Sequence, residues 1–329
     1  MSESMVSKLS KRVGEATVKG RVRGKVSEGK WLPEGYEALK GQMEFIEEAS
    51  KAIKNNEVFL GSAPCGIGKS LASLLTVLPQ LGENKLLICF RTRSQLHIYL
   101  KELKALGRNP SAVSFFSKQD MCPLHIKGDL SYFDFLEECQ RLKDNCESNK
   151  PYCKFYWNIN RKKKEAEELA LDCARKILAP KEAVRRMSRQ GFCAYEALKK
   201  VLNRVDIFLG TYHYVFNPQV REALLKSFGV GMSNVYLIVD EAHNLPAFSR
   251  ELLSDRLTQN TVEGALKETE TFEHEALPSV QEYLNVLNEE IFQRVQETLE
   301  KEELKQLNPQ EVSDLFLDQC GVPGSETAE

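Results

Sequence analysis

The chain has 329 residues, 42% of them hydrophobic, and a formal net charge of −2. This length and composition suit one or two sizeable cores. No apolar run reaches the roughly 18 residues of a membrane span and no charged-then-apolar leader opens the chain, which argues against a membrane partner or secretion and favours a cytoplasmic location, nucleoid-associated in a prokaryote. Nine cysteines in such a chain indicate metal binding or simple burial rather than a disulfide scaffold.

The charge is distributed unevenly along the chain. Residues 251–329 hold 19 acidic and 5 basic side chains, a net charge of −14, so the first 250 residues carry +12. A basic body of this kind indicates a polyanionic partner, with a solvated charged surface as the alternative. Residues 1–30 carry +5 and few large apolar side chains, which predicts a flexible basic arm.

Helical and strand patterns alternate after the arm. The composition changes at Trp31, and the apolar spacing predicts an amphipathic helix over 36–55. Short apolar segments then alternate with helical ones, which predicts an α/β fold with a parallel sheet and crossover helices. The predicted strands cover 58–60, 85–90, 112–117, 205–209 and 234–239.

Residues 122–193 interrupt this alternation. They contain six of the nine cysteines and a long charged stretch, 160–189, that is predicted to be helical. Outside its helices the insert has few apolar residues, so a bound metal group is expected to supply much of its folding energy. After Leu245 the sequence is helical and acidic without further strand–helix units, which predicts the start of a second, helical insert.

Residues 63–70, APCGIGKS, form a phosphate-binding loop between a predicted strand and a predicted helix. Glycines at Gly66 and Gly68 let successive backbone N–H groups turn toward a phosphate at the helix N-terminus. Lys69 is expected to reach the β- and γ-phosphates of ATP, and Ser70 to ligate Mg²⁺. Ala63 stands where the usual pattern has its first glycine.

A second motif, DEAH, follows the predicted strand 234–239. Asp240, at the carboxyl end of that strand, is predicted to hold Mg²⁺ from the side opposite Ser70. Glu241 can polarise the attacking water, and His243 is expected to couple the nucleotide state to other motifs. A lone DEAH can be an ordinary charged loop, but an upstream phosphate loop makes the functional interpretation the stronger one.

The ordered motifs resemble the XPD family of iron–sulfur superfamily 2 DNA helicases, in an N-terminal portion of archaeal type. The resemblance covers about residues 30–265 and rests on APCGIGKS, FRTRSQ, the cysteine insert, GTYHYVFNP and VDEAHNL, with CKFY and GFCAYEAL inside the insert. It implies a RecA-like motor domain that couples ATP hydrolysis to 5′→3′ movement on single-stranded DNA or at DNA forks. The implied segments are an arm (1–30), motor domain 1 (31–121 and 196–250), an iron–sulfur insert (122–195) and a partial helical arch (251–329).

The chain departs from the family pattern in two places. Leu39-Lys40-Gly41-Gln42 stands where many relatives have Arg-x-x-Gln, so Gln42 is expected to read the adenine without its basic neighbour. The family's second motor domain, which carries an arginine finger, follows the arch, and this chain stops inside that region. The expectation is therefore a truncated chain, or a split protein whose other half is a second polypeptide.

The resemblance also implies a [4Fe–4S] cluster in the insert. It assigns Cys122, Cys153 and Cys193 as ligands, with Cys139 as the fourth ligand and Cys146 as the alternative. Spacing alone does not separate a cluster from a zinc site, because four thiolates suit both. Six reduced cysteines without metal are the remaining alternative, and Cys173, within the helical stretch, is expected to be structural.

Two loops are candidates for DNA contact, because both follow strands on the edge of the sheet that carries the phosphate loop. Main-chain, hydroxyl and guanidinium groups of the first loop can bind DNA phosphates, and aromatic side chains of the second can stack on bases, with core packing as the alternative. The residues are Arg91, Thr92 and Arg93 in the first loop and Tyr212, His213 and Tyr214 in the second.

The leading hypothesis is therefore the first motor domain of an ATP-dependent DNA helicase that uses ATP, Mg²⁺ and a [4Fe–4S] cluster. A second hypothesis is a non-catalytic module or truncated remnant that binds nucleotide and single-stranded DNA without unwinding. A third is a zinc-stabilised P-loop ATPase unrelated to DNA repair.

Overall fold

A four-stranded parallel sheet organises the first part of the molecule. The computed structural model describes residues 39–64, 66–106, 108, 110–124, 131–147, 150–254, 257–270 and 277–292. In these residues the strands run in the order β2-β3-β1-β4, and every neighbouring pair is parallel. The strands are β1 (Lys85–Phe90), β2 (Ala112–Ser114), β3 (Ile207–Thr211) and β4 (Val235–Val239). The predicted parallel sheet is confirmed.

Helices connect the strands, as parallel pairing requires. The phosphate loop leads directly into one of them, and the loop after β1 leads into the next. The helices are α1 (Lys40–Lys54), α2 (Lys69–Val77), α3 (Arg93–Ala105), α4 (Tyr132–Asp144), α5 (Lys154–Arg161), α6 (Lys163–Arg175), α7 (Pro180–Arg189), α8 (Ala194–Lys200), α9 (His213–Phe216), α10 (Pro218–Phe228), α11 (Leu245–Leu252), α12 (Gln259–Thr269) and α13 (Leu277–Asn285), with a π-helix at Val286–Phe292.

The two middle strands are buried on both faces. In β1, Leu86, Leu87 and Ile88 have no exposed surface, which explains why this strand is an unbroken apolar run instead of an alternating one. Strand β4 differs, since Leu237 is 38% exposed and only β1 pairs with it among the described residues. Strand β4 is therefore an edge of the described sheet.

The predicted strand 58–60 is wrong. Residues 57–64 carry no helix or strand, and Val58 and Leu60 are 92% and 65% exposed. A strand exists only through hydrogen bonds to a neighbour, and the described sheet offers this segment none. The segment nevertheless leads into the phosphate loop, as the sequence indicated.

The stretch 160–189 is helical as predicted, and it is divided among three helices, α5, α6 and α7. Lys162 leaves the helical region with φ −119° and ψ 48°, which separates α5 from α6. Ile177 has a left-handed φ of 49°, and Pro180 opens α7. Because proline lacks an N–H and disfavours a helical residue before it, it stands at the start of a helix and not in its middle.

The insert shares its apolar core with the sheet. Ile159, Ala170 and Met187, all inaccessible, belong to the same cluster of buried side chains as Leu87 and Phe208. The helices α5 to α7 of the insert therefore pack on the sheet. That a bound metal group supplies folding energy to the rest of the insert stays a prediction.

Two compact units divide the chain, Met1–Ser249 and Arg250–Glu329. The second unit includes α12 and α13, consistent with the helical character predicted for 251–329. The predicted arm, 1–30, and the end of the chain, 293–329, lie outside the described residues. In the described part of the chain, no helix combines the length and apolarity needed to cross a bilayer.

Candidate functional site

The phosphate loop adopts a backbone that depends on its glycines. Gly66 and Gly68 have φ values of 87° and 74°, in the left-handed region that glycine enters without a Cβ penalty. A Cβ on Gly68 would lie 2.6 Å from the Gln42 side-chain nitrogen. Gly68 also forms the N-cap of α2, so the loop turns straight into the helix that begins at Lys69. The side chain of Lys69 donates a hydrogen bond of 2.8 Å to the carbonyl of Ala63, across the loop.

Gln42 supports the loop from below. Its side chain is 1% exposed, and its Nε2 donates to the Gly68 carbonyl at 3.0 Å, while its Oε1 accepts from the Leu39 N–H at 3.4 Å. In this structure the amide therefore contacts the phosphate loop. The reading of the adenine by Gln42 stays a prediction.

The DEAH box lies at the carboxyl end of β4, next to the phosphate loop. The Asp240 N–H donates to the Cys89 carbonyl at 2.9 Å, which continues the pairing of β4 with β1. Burial raises the pKa of Asp240 and the adjacent charge of Glu241 raises it further, while Lys69 opposes both. The interaction with Lys69 brings the two motifs to one site.

Glu241 occupies a strained backbone position. Its φ of 51° lies in the left-handed region, which costs a non-glycine residue of order 1–3 kcal/mol and is maintained only by surrounding contacts. Its carboxylate lies 3.2 Å from Nδ1 of His243, which is largely exposed. The Glu241 carboxylate and the His243 imidazole therefore form a solvent-exposed pair at the DEAH box.

Three residues hold the backbone and carboxylate of the DEAH box. The sequence motifs do not indicate this role for any of them. The Tyr212 hydroxyl donates to the Asp240 and Glu241 carbonyls, at 2.5 and 3.0 Å. Asn244 donates to the Glu241 carbonyl at 3.1 Å, and Gln95 donates to the Asp240 carboxylate at 3.2 Å. The spacing Thr92-x-x-Gln95 is a capping-box pattern and predicts the contact of Gln95 with Thr92, but no sequence signal pairs it with Asp240.

The first candidate DNA loop is exposed but partly committed to protein contacts. The Arg91 guanidinium hydrogen-bonds Asn244, and that of Arg93 pairs with Asp120 and lies 4.8 Å from the centre of the Phe116 ring. Thr92 is the exposed N-cap of α3. The loop thus presents hydroxyl and backbone groups beside two arginines, of which Arg93 is paired with a carboxylate and Arg91 with a neutral amide.

The second candidate loop is largely core. Tyr212 is 1% exposed and packs against Phe216 and Phe248, so it cannot stack on a base in this structure. Tyr214 is partly buried, with its hydroxyl donating to the Phe116 carbonyl at 3.1 Å. His213 alone of the three predicted residues is exposed. The base-stacking interpretation is therefore corrected for Tyr212, because packing uses its ring and the DEAH box uses its hydroxyl.

Four cysteines from separate parts of the insert line one cavity. They are Cys122, Cys139, Cys153 and Cys193, joined by Phe135 and Tyr156 among others. Burial raises the pKa of Cys193 to about 12, and Glu196, Cys153 and Cys122 add to this shift. Cys193 and Cys153 are the N-caps of α8 and α5. The backbone N–H groups of each first turn lower the pKa of the thiol and so act against the effect of burial.

Cys146 does not line this cavity, although it is buried. Its sulfur approaches the carbonyls of Leu142 and Cys153, at 3.6 and 3.7 Å. Cys173 is buried in the core within α6, as expected of a structural cysteine. Of the two candidates for the fourth cluster ligand, Cys139 therefore lines the cavity and Cys146 does not.

A buried charge triad borders the cavity. Glu196 lies 3.0 Å from Lys143 and 3.4 Å from Lys118, and all three side chains are about 15% exposed. Burial lowers the pKa of Lys118, but Cys139 and Glu196 more than reverse this, through their charges and hydrogen bonds. In the described part of the chain, no three His, Cys, Asp or Glu side chains are close enough together to hold a single metal ion.

Known proteins resemble this chain over the same region. The DEAD_2 family profile matches residues 88–262, more than half of the chain. Regulator of telomere elongation helicase 1 of Mus musculus is 28% identical over 209 residues, which are 63% of this chain and 16% of that protein. The ATP-dependent DNA helicase XPD of Sulfolobus acidocaldarius is 25% identical over 254 residues, 75% of this chain and 40% of that protein.

The fold is also similar to a solved XPD helicase structure, with a TM-score of 0.52 and 19% identity, covering 85% of this chain and 45% of the other. The chain therefore spans less than half the length of each of these relatives. The family match covers more than half of the chain, and the parallel sheet is RecA-like. The chain therefore belongs to the DEAD_2 family of XPD-like superfamily 2 helicases.

Proposed function

We propose that this chain is the first motor domain of an ATP-dependent DNA helicase that moves 5′→3′ along single-stranded DNA. The observation that carries the proposal is a network at one edge of the sheet. Gln95 joins Asp240 of the DEAH box to Thr92 of the first candidate DNA loop. The same Asp240 interacts electrostatically with Lys69 of the phosphate loop. Nucleotide groups and strand-facing groups thus share one set of contacts.

The proposed chemistry follows from the side chains at this edge. Lys69 would neutralise phosphate charge, and Ser70 and Asp240 would hold the Mg²⁺ that offsets the charge developing on the phosphates. The Glu241 carboxylate orients and activates the water that attacks the γ-phosphate, and the contacts of Tyr212 and Asn244 hold it there. Most of the catalytic effect in such reactions comes from positioning and charge stabilisation.

The second wall of the nucleotide cleft belongs to a second motor domain in this proposal. The chain spans 40% of the Sulfolobus acidocaldarius helicase that it resembles. An arginine finger typically contributes about 10³–10⁵ to the rate of phosphoryl transfer. We therefore expect the chain on its own to bind ATP and to hydrolyse it slowly.

The cysteine cavity is proposed as the site of a [4Fe–4S] cluster held by Cys122, Cys139, Cys153 and Cys193. A donor set of four sulfurs from four points of residues 122–195 fits such a cluster. Four thiolates also suit a zinc site, and the resemblance to the XPD family is what favours iron–sulfur. The four cysteines would tie four points of the insert to a bound cluster, and Lys118 and Lys143, which pair with Glu196, would place positive charge beside it.

The proposed function is tested by binding experiments on the full chain. A fluorescent ATP analogue with Mg²⁺ should bind the wild-type protein, and oligo-dT should bind the same protein. Lys69→Ala should lose analogue binding because it removes the charge aimed at the phosphates. Lys101→Ala, an exposed lysine of α3, is the control and should bind normally. Absence of analogue binding by the wild type would overturn the ATPase proposal, and absence of oligo-dT binding would overturn the DNA proposal.

A further inference from the structure

We infer that Gln95 is a positioning residue through which DNA bound at Thr92 loosens the Mg²⁺ site at Asp240. The inference rests on the proposed function and specifies how its two ligands affect one another. Three observations support the inference. The Gln95 amide is hydrogen-bonded at both ends, and helix α3 lies beside both Mg²⁺-ligand candidates. Arg91, in the same loop as Thr92, also reaches the DEAH box through Asn244.

The Gln95 amide is hydrogen-bonded at both ends. Its oxygen accepts from the Thr92 N–H at 2.9 Å and from the Thr92 hydroxyl at 3.2 Å. Its nitrogen donates to Oδ2 of Asp240 at 3.2 Å. Because the amide is planar, the contact with Thr92 sets the direction in which the nitrogen points. The orientation of the Asp240 carboxylate therefore depends on Thr92.

Helix α3 continues this support one turn later. Tyr99 lies four residues after Gln95, on the same face of the helix, and is 1% exposed. Burial raises its pKa, and the nearby charge of Asp240 raises it further. Helix α3, capped by Thr92, also packs against α2, whose second residue is Ser70. One helix therefore lies beside both Mg²⁺-ligand candidates, Ser70 and Asp240.

The loop that begins α3 reaches the other DEAH carboxylate as well. Arg91 hydrogen-bonds the Asn244 side-chain oxygen, and the Asn244 nitrogen donates to the Glu241 carbonyl at 3.1 Å. A displacement of the loop is therefore felt at Asp240 through Gln95 and at Glu241 through Asn244. Both paths are short chains of direct hydrogen bonds.

DNA and Gln95 compete for the hydrogen-bond donors of Thr92, and this competition makes DNA binding weaken Mg²⁺-dependent nucleotide binding. A DNA phosphate oxygen that accepts from the exposed Thr92 N–H or hydroxyl takes that donor from Gln95. The released amide no longer fixes Asp240, so Mg²⁺-dependent nucleotide binding weakens. By thermodynamic reciprocity, Mg²⁺ and nucleotide then weaken strand binding by the same factor. This antagonism would let a motor release its strand when it binds ATP.

The test is a Mg²⁺ titration of fluorescent ATP-analogue binding to the full chain, with and without oligo-dT. Oligo-dT should weaken the apparent Mg²⁺ affinity of the wild type about 5-fold. Gln95→Ala should weaken it about 10-fold without DNA, as loss of a residue supporting a metal ligand does, and oligo-dT should add nothing. His97→Ala, an exposed residue of the same helix, should behave as wild type.

Gln95→Met provides a second variant of nearly equal size. It adds no charge and removes both hydrogen bonds of the amide, so Mg²⁺ affinity should fall as in Gln95→Ala, and oligo-dT should add nothing. If oligo-dT lowered the apparent Mg²⁺ affinity equally in the wild type and in Gln95→Ala, the inference would be overturned. It would also be overturned if oligo-dT bound the wild type and left its Mg²⁺ affinity unchanged or increased. Absence of oligo-dT binding to the wild type would instead refute the proposed DNA function.

Discussion

Replacing Tyr212 by phenylalanine removes one hydroxyl that ties the DEAH box to the core. The ring keeps its packing on Phe216 and Phe248, at centroid distances of 6.0 and 5.3 Å. The single hydroxyl proton is shared by the carbonyls of Asp240 and Glu241. The change removes this donor from the Asp240 carbonyl, while the Glu241 carbonyl keeps the donors of Asn244. The loss should lower the free energy of unfolding by about 1–2 kcal/mol. Each kcal/mol should lower the thermal midpoint by roughly 2–4 °C in a unit of this size.

Thermal and urea unfolding of Tyr212→Phe measure this cost, with an unchanged urea slope expected. Tyr236→Phe is the matched control, because the Tyr236 hydroxyl has no hydrogen-bond partner among the described residues. ATP turnover should fall with Tyr212→Phe, since Glu241 loses a contact that maintains its left-handed backbone. Equal midpoints and turnover in wild type and Tyr212→Phe would refute the idea that this hydroxyl holds the box.

Three further predictions concern the buried triad, the cysteines and the DEAH box. Glu196→Gln should lower the free energy of unfolding by about 1–2 kcal/mol, because two partly buried lysines lose their counter-charge, whereas the exposed control Glu165→Gln should change it by less than about 0.5 kcal/mol. Anaerobically purified Cys139→Ser should lose its iron and brown colour while Cys146→Ser keeps both; the reverse pattern, or colourless wild-type protein holding one zinc, would contradict the ligand set. Glu241→Gln should retain the ATP analogue and lose turnover, and normal turnover would place the water-activating group elsewhere.

Local motifs could be predicted well from the sequence because their chemistry is local. The phosphate loop needs glycine at Gly66 and Gly68 whatever the rest of the fold does, and both have the left-handed φ that this requires. The cysteine set named from the resemblance also lines one cavity. In these cases the residue type itself dictates the geometry, so a sequence pattern carries the information.

Properties that depend on distant partners could not be predicted. Whether residues 58–60 form a strand depends on a neighbour elsewhere in the chain, and the short apolar run is compatible with either outcome. Gln95 and Asp240 are separated by 145 positions, so no local pattern relates them. The burial of Tyr212 was equally undetermined, because an aromatic after a strand can face either the core or the strand-binding edge.

The common core of the insert and the sheet has a consequence for how the protein comes apart. Ile159 and Ala170 are packed in the same apolar cluster as Phe208 of β3, so helices α5 to α7 cannot melt while the sheet stays folded without exposing that cluster to water. These helices and the sheet should unfold in one cooperative transition, reported equally by Trp157 fluorescence in α5 and by backbone signals of the sheet. Excising the insert would expose the same cluster and yield an insoluble remainder instead of a smaller ATPase.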